Sequence, residues 1–153
     1  MNRKEHGPYS EYFGIDHAWP ALDAKGFVGL FTTAGWGAIP SIVQQHPLML
    51  EIEERAAALP VGGLRWLHPM SAKAPSVIGL ARRGLYVYDW GSSVSDSVYQ
   101  RDAIPALALH ARDLSSALAA CIPPGLQLNV SFAEMDEIDV CKHFDCLMPR
   151  RTP

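Results

Sequence analysis

Cys141, His143 and Cys146 stand within one short run, Cys141-Lys142-His143-Phe144-Asp145-Cys146. Thiolates and an imidazole are the ligands a zinc ion takes, and a closed structural site needs four of them. The spacing is not that of a C-x-x-C knuckle. A fourth ligand would have to come from Cys121 or from one of His6, His17, His46, His68 and His110. The pattern predicts small buried thiols and a surface histidine, with no metal and no cofactor. A small metal-dependent or cysteine-dependent enzyme using Cys141, His143 and Cys146 is the alternative. Against it, Cys141 and His143 are too close in sequence to be a nucleophile and base that meet across a fold.

Other chemistry-bearing patterns are weaker. Gly35-Trp36-Gly37 leads into Pro40, not into a third glycine opening a helix, so it lacks the dinucleotide fingerprint. Gly91-Ser92-Ser93 is not the G-x-S-x-G elbow of a serine hydrolase. No catalytic residue is assigned. The acidic run Glu134, Asp136, Glu137 and Asp139 lacks the ligand spacing and glycine of a calcium-binding loop. It reads as a solvated turn or as a patch that steers a basic partner. Of the four tryptophans, Trp19 and Trp66 sit inside apolar patterns and are expected in the core. Trp36 and Trp90 fall at strand ends, where an aromatic anchor for a partner could be held.

The elements that would position these residues follow from periodicity. Residues 16–22 and 27–33 read as strands around the turn Asp23-Ala24-Lys25-Gly26, with Pro20 pushing the first towards a sheet edge. Ser41-Ile42-Val43-Gln44 has capping-box spacing. A helix is expected over 47–59, with Pro47 in its first turn and Leu48, Ile52, Ala56 and Leu59 on one face. Residues 64–68 suggest a short strand. Residues 76–81 and 85–90 suggest a hairpin, with Tyr86, Tyr88 and Trp90 on one face and Leu85 and Val87 on the other. Residues 98–104 form a weaker strand candidate. Asp113 is placed to cap a second helix bearing Leu114, Ala117, Leu118 and Cys121. Residues 126–132 alternate as a strand with one wet face. The expected fold is one α+β domain over residues 1–153, with a mostly antiparallel sheet of five or more strands and two principal helices.

Composition bounds the partners. The 153 residues are 48% apolar and 19% charged, with a net charge of −3 and scattered basic residues. That suits a folded domain and argues against nucleic acid as a direct partner. The three cysteines argue against a disulfide framework. No signal peptide or apolar span is legible, so the expected location is cytoplasmic, with no membrane partner.

Residues 16–40, from Asp16-His17-Ala18-Trp19-Pro20 to Gly35-Trp36-Gly37-Ala38-Ile39-Pro40, together with Gly84-Leu85-Tyr86-Val87-Tyr88-Asp89, resemble a group of small uncharacterised bacterial proteins. Those proteins are similar to the immunity partners of polymorphic toxins. The resemblance implies a non-enzymatic module that neutralises a toxin by binding it, and the acidic run suits a basic toxin domain as that partner. It transfers no catalytic residue. The residues expected to meet the partner are Trp36, Trp90, Asp136, Glu137 and Asp139. A structural or oligomerising domain is a further alternative, and homo-oligomerisation is left open.

Overall fold

A computed structural model describes residues 14, 16–46, 48, 51–91, 96–122 and 124–147. The lead-in over 1–13, Pro47, the serines Ser92 and Ser93, Pro123 and the basic tail from 148 onward lie outside the described residues.

Strand β1 (Ala18–Leu22) and strand β2 (Val28–Thr32) pair antiparallel from Ala18↔Thr32 to Leu22↔Val28. Asp23 builds the turn between them, its Oδ1 accepting from the backbone N–H groups of Lys25 and Phe27 at 2.9 Å. Gly26 takes φ of +89° to close it. Pro20, with no N–H to give, falls on the terminal strand of the sheet as expected. All five residues of β2 are buried, because the sheet is covered on both faces.

Then follow β3 (Ile39–Pro40), α1 (Ser41–Gln44), α2 (Ile52–Ala56) and β4 (Leu64–Leu67). After them come α3 (Pro75–Ala81), β5 (Tyr86–Asp89), β6 (Val98–Pro105), α4 (Ser116–Ala119), β7 (Glu137–Asp139) and β8 (Cys146–Leu147). The main sheet runs β1-β2-β5-β6-β4, with β7 also on β6. A separate short ladder joins β3 to β8.

The fold is α+β, but the sheet is mixed rather than mostly antiparallel. Its central pair, β2 and β5, runs parallel from Gly29↔Tyr86 to Thr32↔Asp89. The cause is local. Residues 76–81, expected as the first arm of a hairpin, belong to helix α3 instead. Pro75 sits in its first turn, and Val77, Leu80 and Ala81 are buried at helical spacing. Strand β5 therefore enters from a helix, as the return of a crossover, and not from a hairpin turn.

The helices also differ from expectation. Where a helix over 47–59 was predicted, α2 has five residues. It buries Ile52 and Ala56, while Leu48 and Leu59 are half-buried. The second predicted helix is reduced to α4, capped by the Ser115 hydroxyl and not by Asp113. The short helical turn suggested at 41–44 is present as α1, but Ser41 does not cap it, since Pro40 holds that position and no side chain bonds there. Among the described helices α3, with seven residues, is the longest. No described helix is long and apolar enough to cross a membrane.

Residues 126–132 bury Leu126, Leu128 and Phe132 and expose Gln127 and Asn129, as predicted, but form no strand. Leu22 donates to Leu126 O and accepts from the Leu128 N–H, giving one parallel bridge. There β1 ends in the Asp23 turn, so no further backbone remains to pair with.

The two faces of the sheet carry two cores. Tyr86, Tyr88 and Trp90 join Trp19, Phe31, Tyr99 and Phe132 on one side. Leu85 and Val87 join Val28, Leu30, Ile52 and Leu80 on the side covered by the helices. This division of 85–90 is the one its alternation predicts.

Candidate functional site

Strand β6 carries two partners on one edge. Its outer edge pairs with β7 through Val98, Tyr99 and Gln100 and with β4 through Ala103, Ile104 and Pro105, while β5 lies along the other edge. Between the two ladders β4 and β7 diverge, and Arg101 lies at the fork. A register shift there sets Arg101 opposite Tyr88 but Ala103 opposite Val87, leaving Asp102 as the extra residue of a bulge. Bulges of this kind re-aim side chains and recur beside functional sites.

The Arg101 side chain is only 10% exposed, and its charge is held by several groups. One guanidinium nitrogen, Nη1, donates to Phe132 O at 2.6 Å and to Ala133 O at 2.9 Å. The other, Nη2, donates to Asp136 Oδ1 at 2.9 Å. The Arg101 backbone N–H donates to Asp136 O at 2.8 Å. The guanidinium carbon lies 5.5 Å from the centre of the Trp66 ring, a cation–π distance. Beside it the Tyr88 hydroxyl donates to Met135 O at 2.6 Å, with Phe132 O at 3.1 Å. Burial pushes the Tyr88 phenol well above its usual range, so it stays protonated as a donor. The Arg101 Nε is buried and has no hydrogen-bond partner among the described residues. A cleft of about 430 Å³ opens here, lined by Arg65, Trp66, Arg101, Ile104, Ala133 and Asp136.

Among the residues expected to meet a partner, Asp136 alone lines this cleft. Its side chain is 89% exposed and bonded to Arg101. Glu137 is exposed on β7, its Oε1 accepting from Gln100 Nε2 at 3.3 Å. Asp139 is half-buried and accepts from the Cys141 backbone N–H at 3.2 Å, capping the turn that follows. Trp36 is 41% exposed on a turn built by Thr33 and Asp16. Trp90, at 8% exposure, is a core residue with no surface to offer. Trp66 moves the other way: expected in the core, it is 38% exposed on β4. The sequence pointed to neither Arg65 nor Arg101, and it placed Trp66 in the core. An Arg-Trp pair in a short strand, and a lone arginine inside the 98–104 strand, were the available signals.

The cysteine segment has different chemistry. Cys141 and Cys146 are half-buried against the Trp19 core, and burial pushes both thiols up. An activated nucleophile needs the reverse. His143 is exposed. Among the described residues no three His, Cys, Asp or Glu side chains gather as metal ligands.

On the helix-covered side, Asp102 is held near Asp89, His68 and Ser71. Burial, reinforced by the Asp89 charge, pushes its carboxyl up to about 6 against the opposing effects of His68 and Ser71. The Ser71 side chain favours the charged form of Asp102, while His68 Nδ1 accepts from the Met70 backbone N–H at 3.1 Å. That order differs from a serine–histidine–aspartate relay, in which the histidine stands between the other two.

Compared with protein-family models, with curated proteins and with solved structures, the chain matches none.

Proposed function

We propose that this chain is a non-enzymatic protein-binding module of the toxin-immunity type, meeting its partner through the fork between β4 and β7. One observation carries the reading. Among the described residues six large hydrophobics are exposed: Trp36, Val61, Trp66, Met70, Leu107 and Met135. Trp66 lines the cleft itself, and four of the others stand in the chain beside β4, the end of β6 or the 131–136 segment. Val61 and Met70 bracket β4, which holds Trp66. Leu107 follows the end of β6, where Pro105 pairs with Leu64. Met135 precedes Asp136 at the fork. Apolar groups concentrated beside a polar rim favour contact with another protein. Trp66 is the aromatic anchor, a residue type that dominates interface energetics. The exposed carboxylates of Glu134 and Glu137 supply the rim and steer a basic partner. Trp36 forms a second aromatic contact.

The test is affinity capture from the native host with the whole chain, followed by identification of the recovered protein. A single protein recovered by the wild-type chain and lost with Trp66→Ala, at unchanged thermal stability, is the expected result. Equal recovery by a folded Trp66→Ala chain overturns the proposed surface.

A further inference from the structure

The cleft at the fork has a rim of one charge and a floor of the other. Glu134 and Glu137 are exposed nearby, but the cleft itself is lined by two arginines, Arg65 and Arg101, and one carboxylate, Asp136. Arginine binds a carboxylate best through two parallel N–H groups, one to each oxygen. Asp136 bonds one of them: its Oδ1 takes Nη2, and the neighbouring Nε–H is left buried with no acceptor among the described residues. A buried donor without an acceptor is costly, and native structures rarely leave one unexplained.

We infer that this cleft is a carboxylate-binding site, in which Asp136 holds the place of a carboxylate supplied by the partner. The inference rests on the protein-binding reading and names the group that the surface receives. The incoming carboxylate takes the Nε–Nη2 edge of Arg101 with both oxygens. Arg65 neutralises it from the cleft wall, and Trp66 covers its aliphatic stem. Asp136, on a side chain that is 89% exposed, swings out to solvent. A purely structural role for Arg101, clamping the 132–136 segment, accounts for Nη1 on the carbonyls of Phe132 and Ala133. It accounts neither for the orphaned Nε nor for the second arginine in the cleft.

The Arg101 Nε–H and Trp66 Nε1–H resonances of the ¹⁵N-labelled whole chain report on the site directly. Three probes are titrated at constant ionic strength: acetyl-Ala-Glu-Ala-amide for a side-chain carboxylate, acetyl-Ala-Ala-Ala acid for a terminal one, and butylammonium chloride as the cation control. Saturable movement of both resonances is expected with at least one carboxylate peptide and not with butylammonium; the tighter peptide identifies the source. Asp136→Ala removes the competing carboxylate and should tighten peptide binding about two- to five-fold, the range an exposed ion pair spans. Arg65→Gln should weaken it. Arg101→Lys removes the two-pronged edge, but it also loosens the 132–136 segment, so Arg65→Gln is the variant that keeps the fold. Failure of both peptides to move the Arg101 resonance, equal movement by butylammonium, or no tightening in a folded Asp136→Ala chain overturns the site. A chain that ignores the peptides yet captures its partner through Trp66 overturns the carboxylate site alone. Loss of the Trp66 dependence of capture overturns the surface itself.

Discussion

Gly29 and Phe132 share one space: a β-carbon built on Gly29 would stand 2.6 Å from Cε2 of the Phe132 ring. The ring cannot simply retreat, because Phe31, Tyr86 and Tyr88 lie around it with centroids 5.5 to 6.0 Å away. Glycine in the middle of β2 is thus required by the aromatic core and not by backbone conformation. Gly29→Ala should cost about 1–3 kcal/mol by overpacking. Phe132→Ala should cost about 3–5 kcal/mol through the void it leaves. The double variant should cost less than the sum, since the added methyl enters the vacated space. Denaturant unfolding of the three variants checks this, and strictly additive losses would separate the two residues.

Ala34 has φ of +49°, the left-handed region, in the turn that presents Trp36. Asp16 Oδ1 accepts from the Ala34 N–H at 2.9 Å, and Thr33 Oγ1 accepts from Gly35 at 3.2 Å. These bonds hold alanine where glycine is more at ease. Ala34→Gly should therefore leave stability unchanged or raise it by up to about 1 kcal/mol. A fall of several degrees in Tm would show that the turn depends on the methyl group.

Asp102 sets a pH dependence of a defined sign. Its folded carboxyl, pushed up to about 6, lies above the ordinary aspartate range, so the folded chain binds the proton more tightly than the unfolded one. Its contribution to stability improves as pH falls from 6 towards 4, and its cost is complete above 6. Asp89 and Glu53 are displaced upward too, also chiefly by burial, and act in the same direction. Asp102→Asn keeps an acceptor for Ser71 and removes the charge. It should melt higher than wild type at pH 8, with the difference shrinking towards pH 4. A difference that is constant with pH would dissociate Asp102 from the effect.

At the proposed interface the residues should separate by kind. Trp66→Ala should weaken the partner complex by about 2 kcal/mol, as a buried aromatic anchor does. The pair Glu134→Gln and Glu137→Gln should slow association at low salt and leave dissociation nearly unchanged. Trp90→Ala should lower stability without changing the affinity of the chains that remain folded, since Trp90 lies in the core. Surface plasmon resonance over a salt series, with melting curves alongside, distinguishes the three. An unaltered salt dependence in the double glutamine variant would remove the steering charges.

Much of the fold was legible because local pattern and burial agree. The β1–β2 hairpin follows from Asp23, Gly26 and two apolar runs. The two-sided strand at 86–89 follows from alternating tyrosines. Helix α3 was hidden because Val77-Ile78 favours a strand and seven residues barely display a helical period; Pro75 in the first turn was the discriminating signal. The parallel pairing of β2 with β5 depends on that same helix and could not be read without it. Trp66 was misplaced because a four-residue strand displays little alternation. Leu64 and Leu67 are half-buried while Arg65 and Trp66 between them are exposed. The fork at Arg101 arises from a bulge and from two strands distant in sequence, neither of which leaves a local mark.

The buried carboxylate of Asp23 has a consequence for the order in which the chain assembles. One of its oxygens serves its own turn, while the other accepts from the Phe132 N–H at 3.1 Å, 109 positions away. During synthesis the hairpin is complete before residue 132 is added, yet the buried carboxyl group at its tip waits for that distant segment before it can be sealed from water. Contacts of such separation slow the search for the native state. The hairpin is therefore locked only once residue 132 is present, and a nascent chain halted short of it holds the turn open.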